Sequence, residues 1–209
     1  MFYILFMDHN NILAVVLAGG KSKRFGRDKS QVKLGDKILI DYILNEIIDI
    51  YNEILIVTND PIKFLDSNKI SLTSDIKKDL GPLGGILSAM KWVRENKKNY
   101  KWISTFPADT PFFKKKHLQK FYEKIDIHES YLFFMKSHET RHNIFGLWSL
   151  SLFDKLEKAL IKGDRKVEFW ANEIGVKTIN FDFKNNDDPF FNINTKEDLE
   201  NAKKLLKND

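Results

Sequence analysis

Short apolar runs alternate with amphipathic stretches along the first half of the chain. The continuous runs are typical of strands buried on both faces of a sheet, and they cover residues 12–17, 54–57, 70–73 and 102–106. Between the first two runs, apolar side chains recur at helical spacing, at Ile40, Ile43, Leu44, Ile47, Ile48 and Tyr51. Before the last run, a second helical face holds Ile86, Leu87, Met90 and Val93. This alternation predicts an α/β fold with a Rossmann-like, wound, mainly parallel sheet and helices on both faces.

The second half of the chain has a less regular pattern. Its predicted elements are strands over 131–135 and 143–148, joined by a polar turn, and helices near 151–161, 166–173 and 196–206. Thr195 is a candidate N-cap for the last helix, because an acidic residue follows three positions later. We therefore expect a less regular α/β cap. No repeat, proline-rich linker or low-complexity segment marks a boundary, so a single domain over residues 1–209 is predicted.

Composition argues against several classes of function. The sequence is 43% hydrophobic and 30% charged, with no apolar stretch near the ~20 residues of a membrane span, so no membrane partner is expected. The absence of cysteine excludes a disulfide framework and a thiolate metal site, and it suits a cytoplasmic protein. The net charge of +5 is mild. We interpret the lysine runs at 114–116 and 203–207 as solvated helix faces, and expect no nucleic-acid partner.

Residues 17–22 read LAGGKS and end like a P-loop, but their spacing is wrong for one. A P-loop needs a glycine five positions before Gly20, where this chain has Val15. The segment continues instead through several cations that include Arg24 and Lys29. Glycines allow backbone N–H groups to approach an anion, and the cations supply charge, so the loop predicts a polyphosphate site. The alternative interpretation is a solvated basic turn.

Other chemically informative residues follow further predicted strands, where open parallel sheets bind their ligands. Asp75 follows the strand at 70–73, and the segment Gly81-Pro82-Leu83-Gly84-Gly85 opens the next helix. Asp109 lies between two prolines after the strand at 102–106. A rigid carboxylate facing a phosphate loop is sufficient for Mg²⁺, which takes one or two protein carboxylates and completes its shell with water and phosphate. The alternative for the glycine-rich segment is an ordinary helix start without a binding role. The alternative for Asp109 is a turn residue that caps Thr110.

Together these motifs resemble the molybdenum cofactor guanylyltransferases within the Rossmann-like nucleotidyltransferases. The resemblance runs from about residue 12 to 206. It rests on Leu17-Ala18-Gly19-Gly20 with Arg24, Gly26 and Lys29, on Gly81-Pro82-Leu83, on Pro107-x-Asp109-Thr110-Pro111, and on Asn192-x-Asn194-Thr195. The first motif alone indicates only a nucleotidyltransferase, and the combination in so short a chain is more specific.

The resemblance implies GTP with Mg²⁺, or with Mn²⁺, as cosubstrates and molybdopterin as the acceptor. It also implies a nucleotide-binding half over residues 12–110 and an acceptor-binding half over 111–209, and it allows molybdenum-insertion or target-enzyme chaperones as protein partners. Arg24 is expected on the leaving β/γ-phosphates, Lys29 on the α-phosphate, and Asp109 as both a catalytic residue and the metal ligand. The implied nucleotide-binding residues are Leu17, Ala18, Gly19, Gly20, Lys29, Asn59, Asp75, Gly81 and Asp109, and the implied acceptor-binding residues are Arg165, Lys166, Asn192 and Asn194.

A competing motif occupies residues 138–142, which read HETRH and match the H-E-x-x-H signature of zinc hydrolases. That chemistry needs a helix, so that both histidines share one face. The flanking runs have strand character, which places the motif in a hairpin turn. The remaining alternatives are another nucleotidyltransferase of the same fold, of the CTP:molybdopterin cytidylyltransferase or sugar-phosphate type, and a nucleotide-binding protein without turnover.

Overall fold

The structure, a computed structural model, describes residues 9–19, 32–64, 67–76, 80–183 and 188–206. The strands are β1 (Ile12–Leu17), β2 (Lys33–Leu34), β3 (Lys37–Ile38), β4 (Ile54–Val57), β5 (Ile70–Thr73), β6 (Trp102–Pro107), β7 (Leu132–Ser137), β8 (Thr140–Ser149) and β9 (Lys177–Phe181). The α-helices are α1 (Leu39–Ile47), α2 (Pro82–Glu95), α3 (Lys115–Glu123), α4 (Phe153–Lys162), α5 (Val167–Ile174) and α6 (Lys196–Leu206). None of these helices is both long and apolar enough to cross a bilayer.

A seven-stranded sheet has the order β5-β4-β1-β6-β8-β7-β9, and β2 and β3 form a separate pair. β5, β4, β1 and β6 run parallel. β8 is antiparallel to both β6 and β7, and β9 pairs in parallel with β7 at the far edge. The mainly parallel, wound sheet predicted from the apolar runs is therefore confirmed. The less regular second half contributes its strands to this same sheet.

The chain winds outward from β1 to β4 and β5, and then returns to place β6 on the other side of β1. The two crossovers run in opposite directions, so α1 and α2 cover opposite faces of the sheet. In such sheets, the crevice beyond the carboxyl ends of the strands at the reversal point is where ligands bind. The topology therefore places the candidate site beyond β1 and β6.

Each face of the sheet carries its own hydrophobic core, because alternate residues of a strand point to opposite sides. Ile12, Ala14 and Val16 of β1 pack with α1 and α3, while Leu13 and Val15 pack with α2, α4 and α5. A third, smaller cluster joins α6 to the β2–β3 pair. The helix α6 begins as expected from the sequence: Thr195 Oγ1 accepts from Asp198 N at 3.1 Å, and Asp198 Oδ2 accepts from Thr195 N at 2.8 Å.

The HETRH segment lies in the hairpin between β7 and β8, as the sequence predicts. Ser137 pairs with Thr140, so the turn consists of His138 and Glu139, and the φ of 49° at His138 is in the left-handed region. The two histidines of the motif are therefore not one helical turn apart on a shared face. The helical geometry that a zinc hydrolase needs from this motif is missing.

Candidate nucleotide-transfer site

A cavity of about 500 Å³ lies beyond the carboxyl ends of the parallel strands. It is lined by Leu17, Gly19, Val57, Asn59, Asp60, Asp75, Gly81, Pro82, Gly85, Pro107, Asp109, Ile144 and Asn192. A volume of this size suits a nucleotide-sized ligand. The cavity brings together residues from seven segments of the chain: the ends of β1, β4, β5 and β6, the start of α2, the middle of β8 and the segment before α6.

Strand register explains why these side chains meet. Leu17 pairs with both Val57 and Pro107, and Val57 pairs with Thr73, so these residues form one row across four parallel strands. The residues two positions beyond this row are Gly19, Asn59, Asp75 and Asp109. Because parallel strands leave the sheet in the same direction, equal offsets bring the four residues to the same level. The row thus places Gly19, Asn59 and two carboxylates around one cavity.

Asp75 is held by Asn59 and flanked by glycine. Asn59 Nδ2 donates to Asp75 Oδ2 at 3.0 Å, and Asp75 N donates to Asn59 Oδ1 at 3.1 Å. A Cβ atom on Gly19 would lie 3.3 Å from Asp75 Oδ2, and one on Gly85 would lie 3.2 Å from Oδ1. Asp75 Oδ1 is buried and makes no hydrogen bond within the described part of the chain. Burial raises the pKa of Asp75, and the hydrogen bond from Asn59 offsets part of that rise.

Asp109 is a half-buried carboxylate in a fixed turn after β6. Its carbonyl oxygen accepts from Ile193 N at 3.0 Å, and Thr110 Oγ1 donates to Pro107 O at 3.2 Å. The same turn is tied to the first strand, because Ala108 N donates to Leu17 O at 3.2 Å. These bonds join β1, β6 and the segment before α6, so the Asp109 side chain is presented on a rigid backbone.

Gly81 starts α2 with φ 66° and ψ −165°, a conformation that is essentially restricted to glycine. Gly84 N donates to the Gly81 carbonyl oxygen at 3.0 Å, and Pro82 occupies the first turn of the helix. A Cβ atom on Gly81 would lie 3.6 Å from Arg165 O. The connection between α4 and α5 therefore packs against the loop at the rim of the cavity.

The expected acceptor residues differ in where they lie. Asn192 lines the cavity, whereas Asn194 hydrogen-bonds beside it, with its backbone N donating to Asp198 Oδ2 at 2.8 Å. The Arg165 guanidinium donates to the carbonyl oxygens of Leu160 and Asp164, and Lys166 Nζ lies 5.2 Å from the Phe169 ring centroid. Neither Arg165 nor Lys166 lines the cavity, and their acceptor role stays a prediction.

Several nucleotide residues expected from the sequence lie around the cavity, and others cannot be placed. Leu17, Gly19, Asn59, Asp75, Gly81 and Asp109 line it. Ala18 is buried beneath it, with its backbone N donating to Val57 O at 3.0 Å. Gly20, Arg24 and Lys29 lie outside the described residues.

Sequence reasoning did not anticipate other lining residues, of which Asp60 and Ile144 are examples. Position just after a strand could have identified Asp60. Ile144 lies inside a predicted strand and gave no such signal.

His142 has a structural environment rather than that of a metal ligand. Its Nε2 is 2.6 Å from Ser137 Oγ, and its ring stacks on Phe190 with the centroids 3.8 Å apart. Burial lowers the pKa of His142 to about 4. Among the described residues no group of three or more His, Cys, Asp or Glu side chains could hold a metal ion. The zinc-hydrolase interpretation therefore has neither its helix nor a ligand set in this part of the chain.

The chain is similar to known proteins of one family. A family model described as "MobA-like NTP transferase domain" matches residues 14–176. The chain is 32% identical to the molybdenum cofactor guanylyltransferase of Rhizobium rhizogenes, over 91% of this chain and 90% of that one.

Two solved structures show the same fold. The molybdopterin-guanine dinucleotide biosynthesis protein A of Archaeoglobus fulgidus has a TM-score of 0.71 at 23% identity, covering 94% of this chain and 100% of that one. A Mycobacterium tuberculosis protein solved in complex with manganese has a TM-score of 0.62 at 14% identity, covering 93% and 98%.

Proposed function

The chain belongs to the MobA-like NTP transferase family, and we propose that it acts as its relatives' name, molybdenum cofactor guanylyltransferase, describes. In this reaction GMP passes from GTP to the terminal phosphate of molybdopterin, and pyrophosphate leaves. The product is molybdopterin guanine dinucleotide. The observation that carries the proposal is the convergence of Asp75, Asp109, Gly19 and the glycine-rich start of α2 on one cavity at the point where the strand order reverses.

A divalent metal fits the residues at this cavity. Asp109 offers a half-buried carboxylate on a fixed backbone, and Asp75 Oδ1 is a buried oxygen without a hydrogen bond among the described residues. Hard oxygen donors of this kind suit Mg²⁺ or Mn²⁺, which draw their other ligands from water and substrate phosphates. We propose that Asp109 holds Mg²⁺, which when bound would neutralise charge on the nucleotide phosphates. The manganese in the M. tuberculosis neighbour supports use of a divalent ion by this fold.

The chain's own residues have mainly to position two anions against each other. The terminal phosphate of molybdopterin would attack the α-phosphorus of GTP in line with the departing pyrophosphate. A phosphate dianion is already a nucleophile near neutral pH, so no general base is required. We assign Arg24 to the β/γ-phosphates and Lys29 to the α-phosphate, while Gly19 leaves room for the nucleotide to approach the backbone. Asn192 lines the same cavity, and we assign it to the acceptor.

The decisive experiment is pyrophosphate release from purified protein with molybdopterin, Mg²⁺ and each of the four NTPs in turn. We expect turnover with GTP and little with the others. A clear preference for CTP would replace the guanylyl assignment with the cytidylyl alternative while keeping the nucleotidyltransferase class. Binding of GTP without pyrophosphate release in the presence of acceptor would instead support a nucleotide-binding protein without turnover.

The metal ligand has its own test. Asp109→Asn should lower turnover by roughly tenfold or more, the scale of one lost charge-stabilising contact. Asp154→Asn is the matched control, because Asp154 lies on α4 in an exposed pair with Arg94, 3.1 Å away. Near-normal turnover of Asp109→Asn at saturating Mg²⁺ would remove Asp109 from the mechanism.

Partners and location complete the proposal. The substrates are GTP and molybdopterin, and chaperones that insert molybdenum or receive the dinucleotide would act before or after this step. We place the reaction in the cytoplasm, a proposal that the cysteine-free sequence supports. Co-fractionation of the enzyme with the soluble cytoplasmic contents of the cell tests that location.

A further inference from the structure

β8 bulges out of the sheet at the point where it passes the cavity. Phe134 of β7 pairs with Gly146, but the next residue, Met135, pairs with His142. Residues 143–145 therefore have no partner on β7, and the β6–β8 ladder also ends at the pair formed by Thr105 and Gly146. Bulges of this kind re-aim side chains next to functional sites. Here the bulge contains Ile144, which lines the cavity.

A buried side chain of β6 holds the bulge by a hydrogen bond. Thr105 is fully buried, and its Oγ1 donates to Ile144 O at 2.6 Å. The same oxygen accepts from Trp148 Nε1 at 2.8 Å, so the hydroxyl acts as both donor and acceptor. At the other end of the bulge, Arg141 Nε donates to Asn143 Oδ1 at 2.7 Å. The Ile144 backbone thus has a fixed place although it has left the ladder.

The strands around the cavity place Ile144 on a specific side of it. Asp75, Asn59 and Gly19 follow β5, β4 and β1, and Asp109 follows β6. β8 is the next strand after β6, so Ile144 lies beyond Asp109, away from the nucleotide-binding loops. Asn192 lines the cavity next to Asp109, because Ile193 N donates to the Asp109 carbonyl oxygen. The second substrate must use this side if the nucleotide fills the other.

We propose that Ile144 is the apolar contact that positions the acceptor beside Asp109, and that Thr105 is the positioning residue that holds Ile144 in place. This rests on the proposed function, in which the acceptor is a phosphate attached to a fused heterocycle. An aliphatic side chain suits the flat face of such a ring, and it excludes water from the reacting phosphates without competing for them. The sequence-derived acceptor residues are all polar or charged, and Ile144 adds the apolar part of that site.

The test is steady-state pyrophosphate release, with KM measured separately for acceptor and for GTP. Ile144→Ala should raise the acceptor KM roughly tenfold, the scale of lost apolar contact in a substrate pocket, and leave the GTP KM within about twofold. Ile174→Ala is the matched control, because Ile174 is also partly buried against the same core but does not line the cavity. Equal effects of the two variants on the acceptor KM would overturn the proposal.

Thr105 is tested by a pair of variants. Thr105→Val removes the hydroxyl and should raise the acceptor KM, whereas Thr105→Ser keeps the hydroxyl and should restore the wild-type value within about twofold. The thermal shift induced by GTP and Mg²⁺ reports whether the nucleotide side is intact in each variant. A parallel rise in both KM values, unrescued by serine, would show a general structural role and overturn the assignment.

The outcomes of these experiments distinguish a failure of the Ile144 inference from a failure of the proposed function. A wild-type protein that does not turn over molybdopterin overturns the proposed function, and the KM ratio is then measured with whichever phosphate acceptor supports turnover. Equilibrium titration of molybdopterin, followed by pterin fluorescence, gives the same comparison without catalysis. Unchanged acceptor affinity in Ile144→Ala overturns the inference even if the enzyme is a guanylyltransferase. A wild-type protein that binds no phosphate acceptor overturns both.

Discussion

Asn59 holds Asp75 in place, and we predict that Asn59→Ala weakens GTP binding by acting through Asp75. The two hydrogen bonds between them, 3.0 Å and 3.1 Å long, use the amide oxygen and one amide N–H of Asn59. Asp75 Oδ1, in contrast, is buried beside the cavity with no hydrogen bond from a described residue. We therefore predict that Asp75 contacts the bound nucleotide, directly or through its metal ion, and that Asn59 is the residue that positions Asp75.

The size of the effect follows from the two lost bonds. A hydrogen bond to a charged group contributes about 1.5–3 kcal/mol when buried, and a neutral one about 0.5–1.5 kcal/mol. Asn59 is exposed, so the lower end applies, and water replaces part of what is lost. Without these bonds the Asp75 carboxylate must be ordered when GTP binds, so we expect binding to weaken by about 1.4 kcal/mol, which is roughly a tenfold rise in the GTP KM. The acceptor KM should stay within about twofold.

The same variant should alter the pH dependence. Burial raises the pKa of Asp75, and the Asn59 hydrogen bond lowers it in part. The ionised carboxylate is the better acceptor, and it is lost as the pH falls through the pKa of the folded protein. Removing Asn59 raises that pKa further, so the acid limb of kcat/KM for GTP should move to higher pH.

Pyrophosphate release between about pH 5 and pH 8 measures the KM and the acid limb together. Asn96→Ala is the control, because Asn96 Nδ2 donates to Trp92 O at 2.9 Å at the end of α2, away from the cavity. If Asn59→Ala left both the GTP KM and the acid limb unchanged, Asn59 would not position Asp75 for binding, and the reasoning would fail.

Two further predictions concern stability. Gly146→Ala should lower the free energy of unfolding in urea by about 3 kcal/mol, because its Cβ would lie 2.6 Å from Phe133 O, a backbone atom that no rotamer change can move. The control is Gly175→Asn, in an open left-handed C-cap, which should lower it by less than about 1 kcal/mol. Similar losses in both variants would refute the argument. The pKa of His142 is lowered to about 4, so between that value and the ordinary 6.5 the unfolded chain binds a proton that the folded chain does not, and stability should fall as the pH falls. His142→Gln should lose less stability between pH 7 and pH 5 than the wild type, and an equal loss would count against this assignment.

Much of the fold could be predicted because the buried strands are continuous apolar runs. The predicted strands at 12–17, 54–57 and 70–73 have the bounds that the structure gives to β1, β4 and β5. β9 at the edge of the sheet was missed, and of its residues Phe181 alone is buried. An edge strand that is mostly exposed has no apolar run by which it can be recognised.

The β8 bulge could not be predicted, because residues 143–148 have the apolar pattern of a regular strand. The bulge depends on groups that are distant in sequence, and the Thr105 hydroxyl is the one that binds Ile144 O. Gly146 is required because a Cβ atom at this position would clash with Phe133 O and with the Phe134 ring of the neighbouring strand. Neither the Thr105 hydrogen bond nor the close packing at Gly146 can be predicted from the local sequence. A pocket residue that such a bulge positions therefore cannot be identified until the strand pairing is known.

The opposite holds for the row of site residues at the ends of the parallel strands. Once the sequence indicates that β1, β4 and β5 are parallel and end at Leu17, Val57 and Thr73, a constant offset identifies the neighbours. Two positions on, Asn59 meets Asp75, and their hydrogen bonds follow from that register. The pairing of Asn59 with Asp75 was therefore available from the strand ends, although the chain separates them by sixteen residues. Where strands are parallel, their predicted ends are therefore enough to predict which residues meet at the site. The same reasoning does not apply to β8, which is antiparallel and bulged, so the position of Ile144 could not be predicted in this way.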